Sequence, residues 1–115
     1  MSTGCLFCNI VARTIPANLV LENEHVLAFH DVRPVAPKHA LVIPKKHLTG
    51  INDATPGDAS LLGEILLAAR EVASKLGIAE SGYRLVMNQG PDGGQSVFHV
   101  HCHVMGARPM SWPPG

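Results

Sequence analysis

Residues 99–104 read His-Val-His-Cys-His-Val, a strict alternation of imidazole and small apolar side chain. Successive side chains of a β-strand point to opposite faces, so this run predicts a strand carrying His99, His101 and His103 on one face. Val100, Cys102 and Val104 then face the core, and Cys102 reads as a buried small apolar residue without a catalytic role. At about 3.3 Å of rise per residue, neighbouring imidazoles stand about 6–7 Å apart along such a strand.

The rest of the chain supplies a sheet for that strand. Cys5 to Arg13 reads as a short amphipathic helix with Leu6, Ile10 and Phe7 inward. Leu19–Leu21 and Val26–Phe29 flank the polar Glu22, Asn23 and Glu24 and read as a hairpin. Asp31 to Pro37 is a loop, and Ala40–Ile43 a strand stopped by Pro44, Lys45 and Lys46. Thr55, Pro56, Gly57 and Asp58 form a helix start, with proline at the first helical position and an acid three residues after the cap. Leu62, Ile65, Leu66, Ala69, Val72, Ala73 and Leu76 follow at helical spacing up to Gly77, which gives a long helix over 58–76. Tyr83–Met87 is a strand, Gly90–Gly94 a glycine-rich turn, and Val97–Met105 the final strand. Hairpin-linked strands without alternating helices predict an α+β fold: an antiparallel sheet of about five strands with one long and one short helix, in a single domain over 1–115.

A row of three imidazoles invites two chemistries: metal ligation, for which imidazole suits zinc, or nucleophilic catalysis. The neighbouring residues discriminate. Asn88, Gly90, Gly93, Gly94, Gln95 and Ser96 precede the histidines, with glycines that let backbone approach a ligand and neutral donors that suit phosphoryl oxygens. Asp92 is the one carboxylate in the turn, whereas metal-dependent hydrolases commonly place a general-base carboxylate beside the metal. The donor-rich, carboxylate-poor setting favours phosphate as the guest. Nine basic and nine acidic residues give zero net charge, which argues against a nucleic-acid footprint but not against a single nucleotide. No apolar run approaches the roughly 20 residues that span a bilayer, and no secretory signal is evident, so the expected location is cytoplasmic.

The run His99-Val100-His101-Cys102-His103-Val104-Met105 resembles the signature of the histidine-triad (HIT) family. Phe29-His30-Asp31-Val32, Leu41 to His47, Gly93 to Ser96 and the tail Trp112-Pro113-Pro114-Gly115 are similar to its Hint branch, and the dinucleoside polyphosphate hydrolase branch does not carry that tail. The resemblance implies a HIT-like fold and a purine nucleoside phosphoramidase. Such an enzyme cleaves the P–N bond of nucleoside 5′-phosphoramidates and related aminoacyl adenylates through a nucleotidyl-histidine, with no cofactor required for catalysis. His101 would be the nucleophile, His103 and the backbone around Gly94, Gln95 and Ser96 would hold the α-phosphate, and Ser96 would protonate the departing amine. His99 completes the catalytic triad. Asn88 would bind a phosphate or ribose oxygen and Asp31 the ribose hydroxyls. Phe7, Ile10, Phe29 and Val32 would wall the base pocket with Leu6 beside them, and His39 would support the triad. A homodimer is implied, joined through the helix at 58–76 and the strand at 83–89, with the tail reaching the partner's site. Two other readings compete: a zinc hydrolase using all three histidines as ligands, and a nucleotide-binding adaptor with vestigial catalysis. A dinucleoside polyphosphate hydrolase is the remaining enzymatic alternative.

Cys5-x-x-Cys8 is half of a zinc site, and His47 and His99 would complete the tetrahedral set that zinc prefers. Some members of the superfamily hold a structural zinc this way, which here would staple the N-terminal helix to the sheet. The plainer alternative is two reduced thiols on a helix. His25 is expected at the surface and His30 in the wall of the base pocket. Lys45 and Lys46 are expected in a solvated turn, and Trp112 in an exposed tail shaping the leaving-group side. Two residues depart from the branch pattern: Cys102 replaces a commoner leucine, and Ser111 stands where a histidine often precedes the tryptophan, which bears on the leaving group.

Overall fold

The computed structural model describes residues 4–115. Helix α1 (Leu6–Val11) precedes strands β1 (Leu19–Glu22), β2 (Val26–His30) and β3 (Lys38–Pro44). Two 3₁₀ turns, Ile51–Asp53 and Pro56–Asp58, lead into α2 (Ala59–Lys75), followed by β4 (Tyr83–Val86), the single-turn α3 (Gly90–Gly93) and β5 (Cys102–Gly106). The five strands form one antiparallel sheet in the order β1-β2-β3-β5-β4. The α+β architecture, the sheet and the long helix agree with the sequence reading; α3 adds a helical turn where a plain glycine-rich turn was expected.

The start of α2 follows from its sequence. The Asp58 carboxylate accepts from the Thr55 N–H at 2.9 Å and also from Lys46 Nζ at 2.7 Å, which satisfies an otherwise orphaned amide before the helix. At the other end Gly77 takes φ +75°, and the Ile78 N–H donates back to the Ala73 carbonyl at 3.0 Å. Between these ends Ile65, Ala68, Ala69, Val72 and Ala73 are buried on the sheet. They pack with Val26, Ala28, Ala40, Val42, Val100, Cys102 and Val104, so the apolar half of the histidine run faces α2 as expected.

The opposite sheet face carries α1. Phe7 and Ile10 pack on Leu27, Phe29, Leu41 and Ile43. Leu6 is 45% exposed, contrary to the expected inward position, because six helical residues turn only one narrow stripe to the sheet.

The final strand is shorter than the expected Val97–Met105. The β3–β5 register pairs Val42 with Cys102, and its continuation would set Val100 opposite Pro44. Proline has no N–H to give to a ladder, so pairing stops there. The Val100 N–H instead donates to the Leu48 carbonyl at 2.7 Å. Only His103 of the triad therefore lies within β5. Among the described residues no helix is long and apolar enough to cross a membrane.

Candidate functional site

Strand register builds the floor of the site. Phe29 pairs with Leu41, Leu41 with His103, and His103 with Val86, which sets these four side chains in one row across β2, β3, β5 and β4. The row floors a cleft of about 800 Å³. Leu6, Phe7, Ile10, Ile15, Pro16 and Ala17 give it apolar lining, and Asp31, Val32, His39, Asn88, Ser96 and His101 also line it. The structure thus gathers Phe7, Ile10, Phe29, Asp31, Val32, Asn88, Ser96, His101 and His103 around one cleft. Val32 stands 91% exposed at its mouth. His30 and Arg33 also line it, while His25 lies at the surface.

Gly94 and Gln95 do not line this cleft. The Gly94 and Gln95 amides donate to the Pro91 and Gly90 carbonyls at 3.0 and 3.1 Å, closing the α3 turn. The buried Gln95 side chain donates to the Thr49 carbonyl at 2.6 Å and accepts from the Gly90 N–H at 2.9 Å. These two residues brace the turn that presents Ser96. Lys45 pairs with Glu22 at 2.8 Å and Lys46 with Asp58, so both lysines are ion-paired and neither lines the cleft.

Hydrogen bonding fixes the protons of the histidines. A carbonyl only accepts, so the contact of 2.7 Å between His101 Nδ1 and the His99 carbonyl places the proton on Nδ1 and the lone pair on Nε2. Every fully enclosed side-chain polar atom among the described residues has a partner. The His101 Nε2 has none, so it opens onto the cleft. His39 Nδ1 accepts from the Val35 N–H at 3.1 Å, which leaves the proton on its Nε2. That Nε2 lies 2.9 Å from His103 Nδ1 and 3.3 Å from Asp31 Oδ2. His103 Nδ1 is therefore an acceptor and its Nε2–H remains as a donor. Burial, then the neighbouring His101 and His39, depress His103 to about 4 against the opposing pull of Asp31. Burial likewise holds His39 below its ordinary value. Both rings are neutral at physiological pH.

His99 serves a different centre. Its Nε2–H donates to the Pro44 carbonyl at 2.8 Å, which leaves the Nδ1 lone pair facing Cys5 Sγ at 3.4 Å, Cys8 Sγ at 3.5 Å and His47 Nδ1 at 3.2 Å. All four donor atoms lie within 4.8 Å of one another. With zinc–nitrogen bonds of about 2.0–2.1 Å and zinc–sulfur bonds of about 2.3 Å, tetrahedral ligand edges span about 3.3–3.8 Å, so the donor set fits zinc. Burial and the adjacent Cys5 push the Cys8 thiol up to about 11. The triad rings do not converge on one point: His99 joins the thiols, His103 joins Asp31 and His39, and His101 joins neither group. That geometry does not fit a hydrolase holding one metal with all three.

His39 was expected beside the triad, but its contact with Asp31 escapes sequence reasoning, because the line joins the loop after β2 to β3 and β5. Leu41, Val86 and Met105 escape it for the same reason. Ile15-Pro16-Ala17 carries a signal, an apolar segment directly after α1.

Residues 12–110 match the HIT domain family, and the chain belongs to that family. An uncharacterized HIT-like protein of Synechocystis is 52% identical over 115 residues, covering both chains completely. A 14 kDa zinc-binding protein of Zea mays is 47% identical over 96% of this chain and 87% of its own. The crystal structure of a HIT family hydrolase from Legionella pneumophila superimposes with a TM-score of 0.95 at 51% identity, covering 97% of this chain and all of that one.

Proposed function

We propose that this protein is a nucleotide hydrolase of the Hint branch, cleaving the P–N bond of purine nucleoside 5′-phosphoramidates through a nucleotidyl intermediate on His101. The observation that carries the reading is the His101 Nδ1–H held at 2.7 Å by the His99 carbonyl, which directs an Nε2 lone pair into a cleft lined by both apolar side chains and hydrogen-bonding groups.

The base packs against Phe7, Ile10 and Phe29, with Val32 closing over it, and Asp31 accepts from the ribose hydroxyls. His103 Nε2–H and Ser96 donate to the α-phosphate, and Asn88 to a neighbouring oxygen. His101 Nε2 attacks phosphorus as the P–N bond breaks, and the departing nitrogen takes a proton by way of the Ser96 hydroxyl. Water then attacks phosphorus and its proton restores the Ser96 hydroxyl, His101 leaves with its Nε2 lone pair, and the nucleoside monophosphate is released. An imidazole nucleophile splits one difficult displacement into two easier ones. Positioning and charge stabilisation supply most of the remaining acceleration.

Cys5, Cys8, His47 and His99 would hold a structural zinc, which joins α1 to the sheet and touches no reacting atom. The name of the maize relative and the fit of the donor set support this. The chain works as one domain and as a homodimer through α2 and β4: Leu66 and Leu67 are 48% and 57% exposed on α2, and β4 is an edge strand. Trp112, 82% exposed and outside its own cleft, would then reach the partner's site. The proposed location is cytoplasmic, where cysteines are kept as thiols that can serve as zinc ligands.

The test is AMP release from adenosine 5′-phosphoramidate, run beside diadenosine polyphosphate and with and without chelator. We expect the phosphoramidate to be preferred, activity with chelator to fall by no more than about tenfold, and His101→Ala to lose at least about 10³-fold in kcat. Preference for the dinucleotide would move the chain to the other branch; turnover surviving in His101→Ala would refute the mechanism.

A further inference from the structure

We propose that Cys5, Cys8 and His47 are positioning residues for the nucleotide site, acting through His99 and Phe7, so that zinc held by this cluster sets the orientation of the nucleophile and the shape of the base pocket. The inference rests on the nucleotide reading of the cleft.

Two lines of contact run from the cluster to the cleft. The first passes through residue 99. Its ring is completely buried and gripped at both nitrogens, by the Pro44 carbonyl on one side and the thiols and His47 on the other. The carbonyl of the same residue accepts the His101 Nδ1–H. A shift of residue 99 loosens that bond and admits the other His101 tautomer, in which Nε2 carries the proton and cannot attack phosphorus.

The second line passes through α1. Cys5 and Cys8 bracket Phe7, whose ring packs edge-on against His99 at 5.9 Å and His101 at 5.2 Å between centroids. Six residues are too few for a helix to hold itself. Its N-cap is a thiol, Cys5 Sγ, accepting from the Cys8 N–H at 3.4 Å, and thiols are weak hydrogen-bond partners. The four donors come from α1, from the loop after β3 and from the segment before β5. Coordination bonds among them would lock these three segments together directly beside the nucleophile.

The experiment uses the full chain, stripped by chelator and reloaded with Zn²⁺ alone, beside His47→Asn, which removes the exposed member of the cluster without entering the core. Zinc content, amide hydrogen exchange over 6–11, the His101 ring tautomer by ¹⁵N NMR and AMP affinity are measured on each, well below the melting temperature. We expect zinc to load on the wild type, slow exchange in α1, shift His101 to the Nδ1–H tautomer and tighten AMP by about tenfold, as when a binding-competent state rises from a tenth of the population to all of it. His47→Asn should show the stripped behaviour with or without Zn²⁺, while keeping its fold by circular dichroism. The tautomer is a readout that general stabilisation would not move. Zinc that loads without changing tautomer or AMP affinity overturns the proposal, and so does a wild type that loads none. A protein that binds no AMP but whose His101 ring still answers to zinc would refute the nucleotide reading and uphold the cluster's hold on the nucleophile.

Discussion

His103 lies between two other imidazoles, with Asp31 beyond one of them, and its charge state is set by that enclosure. Its native value of about 4 lies below the ordinary value of 6.5, so the unfolded chain binds its proton first as pH falls. The stability it contributes is complete above about pH 6.5 and is lost progressively toward about pH 4. His39 and His99 are shifted in the same direction by burial and add to the slope. We therefore expect the melting temperature to fall over this window and His103→Asn to flatten the curve; equal slopes in both proteins would contradict the assignment. The histidines were legible as a functional row because alternation in a sequence reports which side chains share a face. Their division of labour was not. The His99 ring turns to the thiols and the His39 ring to His103, and both choices depend on partners more than 50 residues away in the chain.

At the scale of elements, α2 was read almost to its ends because its cap, its apolar spacing and its terminal glycine are all local signals. Its inward face carries the packing: Ile65 is fully buried between helix and sheet. Ile65→Ala should cost about 2–5 kcal/mol, checked by the denaturation midpoint at unchanged m-value. Strand β5 was read too long at its start. The local pattern favours extension from Val97 onward, but β3 presents Pro44 where Val100 would pair, and a neighbouring strand's missing donor cannot be seen in the pattern of the strand itself. The same interruption frees the Pro44 carbonyl to receive His99, so the break in the ladder helps separate the ring that faces the thiols from the two that line the cleft.

At the scale of the molecule, the sheet separates two packing layers with different tasks. The α2 side is an apolar core; the other side carries the cleft, α1 and the thiol cluster. The proposed second copy would cover the outer face of α2 and the β4 edge, where Leu66, Leu67 and Leu85 lie at the surface. We expect sedimentation velocity to give a dimer for the wild type and a folded monomer for Leu66→Glu combined with Leu67→Glu, since charge at the centre of an apolar interface is uncompensated. A dimer that survives both substitutions would place the interface elsewhere. Weaker phosphoramidase activity in the folded monomer would further support a tail acting across the two-fold axis.

Periodicity and short motifs were sufficient to identify the α+β class, the long helix, the burial of Val100, Cys102 and Val104, and the histidines as a row to look to for function. Each of these follows from neighbours a few residues apart, where the backbone itself dictates which side chains lie together. Tertiary structure alone decided which ring would act on what. The row Phe29–Leu41–His103–Val86, the line from Asp31 to His103, the meeting of Cys5 and Cys8 with His47 and His99, and the carbonyl that orients His101 all arise where separate segments converge. An imidazole is nucleophile, donor or ligand according to which nitrogen holds the proton, and that is set by the hydrogen-bond partner the fold brings to it.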